Sequence, residues 1–204
     1  MSQADVRTAE LRVISGLEDD DRRELLTLAR SVVGETLQSG RRALPYVAEL
    51  PPRLREPGAS YVTLRRGSRL LGSVGTLEAS VPIGVDVVMH ALTAAFDDPR
   101  IPSVTADDFH ELSIEVAVVG PLVPSGASGV AELVELLRPE IDGLVVDLDG
   151  RRVTFLPAVW DNVRDEADFV ALLWRKAALA VGEWPSGLRT FTYRTEAFSD
   201  QQPG

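Results

Sequence analysis

Few residues of this chain have the types and spacing for chemistry. Ser73 stands between Gly72 and Gly75, the two histidines are His90 and His110, and Arg100 follows the pair Asp97-Asp98. A serine hydroxyl becomes a nucleophile only beside a dedicated base, and His90 is the best base on offer. Gly72 and Gly75 flank two residues of an extended segment. They allow either a bulge with close packing of another segment, or a ligand reaching the N–H groups beside Ser73. The spacing G-S-V-G matches neither a phosphate loop nor a G-x-S-x-G nucleophile elbow. His110, with Asp107, Asp108 and Glu111, brings nitrogen and oxygen together, but consecutive residues on a short helix point different ways and acids there suit the helix dipole. No metal site and no cofactor are therefore assigned. Arg100 can pair with an aspartate or cap the end of a helix, or it can line a cleft beside Ser73 as an anion contact.

Composition narrows the function classes. The chain has 204 residues, no cysteine and a net charge of −10. Without cysteine there is no disulfide, thiolate nucleophile, Cys-ligated zinc or iron–sulfur cluster. An acidic surface repels phosphate backbones and anionic lipid, so neither nucleic acid nor membrane is an expected partner. No stretch approaches the roughly 18 apolar residues of a membrane span, and MSQADVRTAELRVISG lacks a basic-then-apolar signal pattern. A cytoplasmic location is expected, as a monomer or homodimer.

The elements that must position these residues can be read from pattern. After a polar lead-in (1–20), Leu25, Leu26, Ala29, Val32, Val33 and Leu37 fall on one helical face, with acids at the start and Gly40 past the end. Residues 43–59, with four prolines, form a loop. Tyr61–Arg66 and Leu70–Leu77 read as a hairpin, and Pro82 opens a helix to about Asp97 with Val85, Val88, Met89, Leu92, Ala95 and Phe96 as its buried stripe. Thr105 and Asp108 suit a capping box. Ser113–Val119 alternates as a half-buried strand, and Gly129–Arg138 reads as a short helix. LVVDL-DG-RRVTFL is the clearest hairpin in the chain. Asp165 and Asp168 open a further helix, and Arg189–Phe198 reads as one closing strand before a tail (199–204). Trp160, Trp174 and Trp184 are read as packing residues, and Arg65-Arg66 and Arg151-Arg152 as solvated hairpin arginines. Hairpins alternating with helices predict an α+β fold, an antiparallel or mixed sheet with helices packed on it.

Five stretches, in order, carry a resemblance: SYVTLRRGSRLLGSVGTLE, ALTAAFDDPRIPSV, FHELSIEVAVVGPLVP, DGLVVDLDGRRVTFLP and KAALAVGEW. Together they resemble the AMMECR1 family over about Arg22–Phe198, with the domain set at 21–198. The resemblance implies two closely fused lobes, the larger holding an antiparallel sheet packed by helices. It also implies companions of the Memo type and radical-SAM type, and hence a modification pathway. The family's LRGCIG segment aligns with Leu70-Leu71-Gly72-Ser73-Val74-Gly75. Both glycines remain, while Leu71 stands for the arginine and Ser73 for the cysteine. Leucine removes a forked cation, and a neutral serine is no thiolate.

Three roles stay open on the sequence. One is a binding, adaptor or accessory subunit that meets another protein through Leu70, Leu71, Gly72, Ser73, Val74, Gly75 and Arg100. The second is an enzyme of a modification pathway with Ser73 in its cleft and His90 as the candidate base. The third is a diverged member that keeps only the fold. The two missing side chains favour the first.

Overall fold

A computed structural model describes residues 16–200 of the protein. Residues 1–15 of the lead-in and 201–204 of the tail lie outside the described residues. The chain forms two compact units, one from residues up to Val119 together with Glu196 onward, the other from Gly120–Thr195.

In the first unit, helix α1 (Asp19–Ser39) begins with three acidic residues and a capping box in which the Glu18 N–H donates to Asp21 at 3.0 Å. It ends at Gly40, whose φ of 70° is the left-handed conformation that glycine adopts without a Cβ penalty. Two 3-10 turns and a short ribbon, β1 (Pro57–Gly58) with β4 (Val81–Pro82), surround the main hairpin of β2 (Ser60–Arg66) and β3 (Arg69–Gly75). Helix α2 (Ile83–Phe96) follows, then the single turn α3 (Ala106–Phe109), capped as expected by Thr105 and Asp108, and strand β5 (Leu112–Val119). The sheet runs β10 (Thr195–Ser199), β5, β2, β3, with β2 antiparallel to both its hairpin partner and β5. Leu25, Val33, Val62, Leu64, Val87, Ala91 and Ile114 form the centre of its core.

Helix α2 departs from a simple amphipathic reading. Val87, Ala91 and Ala94 are buried together with Val85, Val88, Leu92 and Ala95, whereas Met89, expected in the buried stripe, is 42 % exposed. The helix packs on β2 and β3 on one side and on α1 on another, so solvent reaches only a narrow strip, and Met89 lies on it. Pro82 sits one position earlier than expected, as the N-cap with φ −50° rather than inside the first turn.

The second unit holds a four-stranded sheet in the order β6 (Val123–Pro124), β9 (Arg189–Tyr193), β7 (Gly143–Leu148), β8 (Arg151–Phe155), covered by α4 (Val130–Leu136) and α5 (Glu166–Lys176). Its hairpin turns on Asp149 and Gly150, both at positive φ, the primed geometry that matches strand twist. The tryptophans pack as expected. Trp160 stacks on Phe169 with centroids 3.9 Å apart, and buried Trp174 lies beside Trp184. The expected single closing strand is instead two. β9 joins the sheet of the second unit and β10 that of the first, with Arg194 between them. Antiparallel α+β architecture holds throughout, and no helix among the described residues is long and apolar enough to cross a membrane.

Candidate functional site

The glycine-bearing segment occupies β3, the outer strand of the first sheet. Leu64 pairs with Gly72 and Arg65 with Leu70, which leaves Leu71 as the extra residue of a bulge. The bulge turns Leu71 into the core, where it is 3 % exposed. Gly72 is required by packing: a Cβ there would sit 1.9 Å from the Ala94 carbonyl oxygen of α2. At Gly75 the corresponding atom would meet Tyr61 at 2.4 Å. Close approach therefore accounts for both glycines, and Leu70 and Val74 beside them are half-buried.

Ser73 is half-buried, and each of its polar groups has a protein partner. Its hydroxyl shares a 3.0 Å hydrogen bond with that of Thr63, directly opposite on β2. Its N–H donates to Asp98 Oδ2 at 3.2 Å, and its carbonyl accepts from Arg100 Nη2 at 2.8 Å. Arg100 is held in turn by Asp98, through Nε to Oδ1 at 2.9 Å and Nη2 to Oδ2 at 2.7 Å. The Asp98 carboxylate is only 2 % exposed, while the Arg100 side chain is 63 % exposed. The hydrogen bonds from Arg100 hold the Asp98 carboxyl well below the usual carboxylate range; burial opposes this, and the N–H groups of Arg100 and Ser73 assist.

His90 is not brought to Ser73. Its Nδ1 lies 3.1 Å from Asp86 Oδ2, and the same oxygen accepts from Ser60 Oγ at 2.6 Å. Ser60, Val62 and Leu64 are the buried positions of β2, alternating with Thr63. The Thr63–Ser73 hydroxyls thus lie on one face of the sheet, and Ser60, Asp86 and His90 on the face covered by α2. His110 is exposed after α3. Its neighbour Asp108 caps that turn and meets Arg66 and Arg69, and Glu111 meets Arg66.

Sequence reasoning did not single out Ser60, Thr63 or Asp86. The i, i+4 spacing of Asp86 and His90 on a helix was a usable signal; the Thr63–Ser73 pairing needed the strand register.

The sequence and the fold are similar to those of known proteins. The family model for AMMECR1 matches residues 26–198. The chain belongs to the AMMECR1 family. A Methanothermobacter thermautotrophicus relative is 31 % identical over 150 residues, covering 71 % of this chain and 78 % of its own. A Thermofilum pendens relative is 30 % identical over 191 residues, covering 88 % and 89 %. The crystal structure of the uncharacterized protein PH0010 from Pyrococcus horikoshii superposes with a TM-score of 0.82 at 27 % identity, over 92 % of this chain and 95 % of that one. AMMECR1 membership thus accounts for the fold across nearly the whole described chain.

Proposed function

We propose that the protein is an accessory or adaptor subunit that binds another protein through the surface around β3, with Leu70–Gly75 shaping it and Arg100 as its exposed charged contact. The observation that supports this reading is the closure of Ser73: hydroxyl, N–H and C=O are taken by Thr63, Asp98 and Arg100. A serine so engaged offers a fixed surface rather than an activated nucleophile, because a neighbouring hydroxyl is no base. Arg100, pinned at one end by a buried carboxylate, is a pre-organised contact that loses little entropy when it meets a partner. The Memo-type and radical-SAM companions implied by the family resemblance are the partners to try first, in the cytoplasm.

Two measurements test the reading. Binding of purified Memo-type and radical-SAM proteins from the same genome is measured with wild type and Arg100→Ala, the variant being expected to weaken binding at least about fivefold. Equal affinity would remove Arg100 from the interface. Fluorophosphonate labelling followed by peptide mass spectrometry is expected to leave Ser73 unmodified; a labelled Ser73 replaces the adaptor reading with the enzymatic one.

A further inference from the structure

The α2 side of the sheet carries a second arrangement that the binding surface does not use. Ser60 is fully buried at the start of β2, Asp86 is 3 % exposed in the first turn of α2, and the His90 side chain, one turn further on, keeps 15 % of its surface exposed. Both Ser60 Oγ and His90 Nδ1 converge on Asp86 Oδ2, at 2.6 and 3.1 Å. A carboxylate only accepts, so the ring nitrogen facing it is the donor. In the neutral imidazole the proton then resides on Nδ1 and the lone pair on Nε2. A buried carboxylate behind an imidazole is how proteins orient a histidine that must act through its outer nitrogen. Here the carboxylate is itself tied from behind by a strand hydroxyl. All three groups stand on a helix and a strand packed into the core, the rigid placement a working base requires.

We propose that His90 is an oriented proton acceptor for a small hydroxylic ligand, water or an alcohol, with Asp86 as its positioning residue and Ser60 fixing Asp86. In the step, the ligand's O–H bond breaks, its proton moves to His90 Nε2, and the electron pair stays on the ligand oxygen. The Asp86 carboxylate balances the positive charge gained by the ring. This proposal goes beyond the adaptor reading and stands apart from it, since Ser73 and Arg100 take no part.

The chain's two histidines make the test direct, because exposed His110 serves as the internal control. Nitrogen-15 NMR of the neutral rings is expected to find His90 with its proton on Nδ1 and His110 in the ordinary Nε2–H form. Diethyl pyrocarbonate, which acylates only an accessible unprotonated ring nitrogen, is expected to modify His90 in the folded protein within about tenfold of the rate at His110. Asp86→Asn is expected to abolish the Nδ1–H preference. Should that variant fail to fold, Ser60→Ala, which removes only the tie behind the carboxylate, decides the point by lowering the preference. An unchanged tautomer in the folded variants overturns the positioning role. A His90 that resists the reagent until the protein is unfolded overturns the proposal altogether and leaves the three residues as a tie between α2 and β2.

Discussion

Asp98 and Arg100 together satisfy the backbone of Ser73 at the open edge of the first sheet: the carboxylate accepts its N–H at 3.2 Å, and the guanidinium donates to its C=O at 2.8 Å. A neighbouring strand would supply the same two contacts. Edge strands with free backbone groups invite unwanted pairing, and charged side chains are a common protection. Here the charged pair does more than stand nearby, since it fills the hydrogen bonds themselves.

Asp98→Asn is expected to cost about 1–3 kcal/mol at pH 7, the range for losing a buried hydrogen-bonded charge. The sign of its pH dependence follows from the depressed carboxyl. Asp98 binds its proton less readily folded than unfolded, so its contribution is complete above the ordinary aspartate range near 4 and fades as pH falls below it. Urea midpoints followed by far-UV circular dichroism are expected to differ most between wild type and Asp98→Asn at pH 7 and to draw together as pH falls below about 4. A constant difference across that window would show that the carboxylate's charge is irrelevant to the edge.

Gly72→Ala tests whether the motif's glycine is a packing requirement. The added methyl would stand 1.9 Å from the Ala94 carbonyl oxygen, a backbone atom that cannot rotate away, so either α2 or β3 must shift. Overpacking of this kind costs about 1–3 kcal/mol and sometimes more; a loss of at least about 3 kcal/mol is expected. Gly67→Ala, at the hairpin turn where nothing lies within 4 Å and only the positive φ of 57° is strained, is the control and is expected to lose about 1 kcal/mol. Equal losses would refute the packing account.

The contrast between these glycines shows what was legible in the sequence. Turn and cap positions announce themselves locally: Gly40 ends a periodic helix, Asp149-Gly150 sits between alternating strands, and Thr105 precedes Asp108 by three. The antiparallel α+β architecture followed from such signals. What could not be read is set by contacts remote in sequence. Leu71 leaves the strand pattern because a bulge turns it inward, and Met89 is exposed because α1 and the sheet cover the other sides of α2. The closing strand divides because its two halves find partners in different sheets. At the candidate site, Ser73 and Arg100 were visible as residues, but the Ser73–Thr63 contact depends on strand register, and the Ser73–Asp98–Arg100 contacts on how a distant loop packs, neither of which one sequence displays.

Ser73→Cys replaces the hydroxyl with a slightly larger thiol. Its expected effects are small, within about 1 kcal/mol, because only the hydroxyl contact to Thr63 changes. A Thr63→Val, Ser73→Ala double-mutant cycle, read by urea denaturation, is expected to give a coupling of about 0.5–1.5 kcal/mol. Zero coupling would mean that the two hydroxyls are not bonded in solution.

In the second unit, buried Asp147 lies between two arginines on adjacent strands, accepting from Arg152 Nε at 3.1 Å and Arg189 Nη2 at 2.9 Å, with the Gly150 N–H at 3.1 Å. The three side chains are in direct cross-strand register, Arg152 opposite Asp147 and Asp147 opposite Arg189. Arg152 contributes most to holding the Asp147 carboxyl below its ordinary range; burial opposes it, and Arg189 and Gly150 assist. Asp147 is only 1 % exposed, so removing both arginines strands a charge away from water. Arg152→Ala with Arg189→Ala is expected to cost about 3–5 kcal/mol. Adding Asp147→Val should restore at least about 2 kcal/mol of that, since an apolar side chain needs no counter-charge. Trp160, Trp174 and Trp184 all belong to this unit, so tryptophan fluorescence during urea unfolding reads it selectively. If the triple variant is no more stable than the double, the aspartate is not the buried charge that makes the arginines necessary.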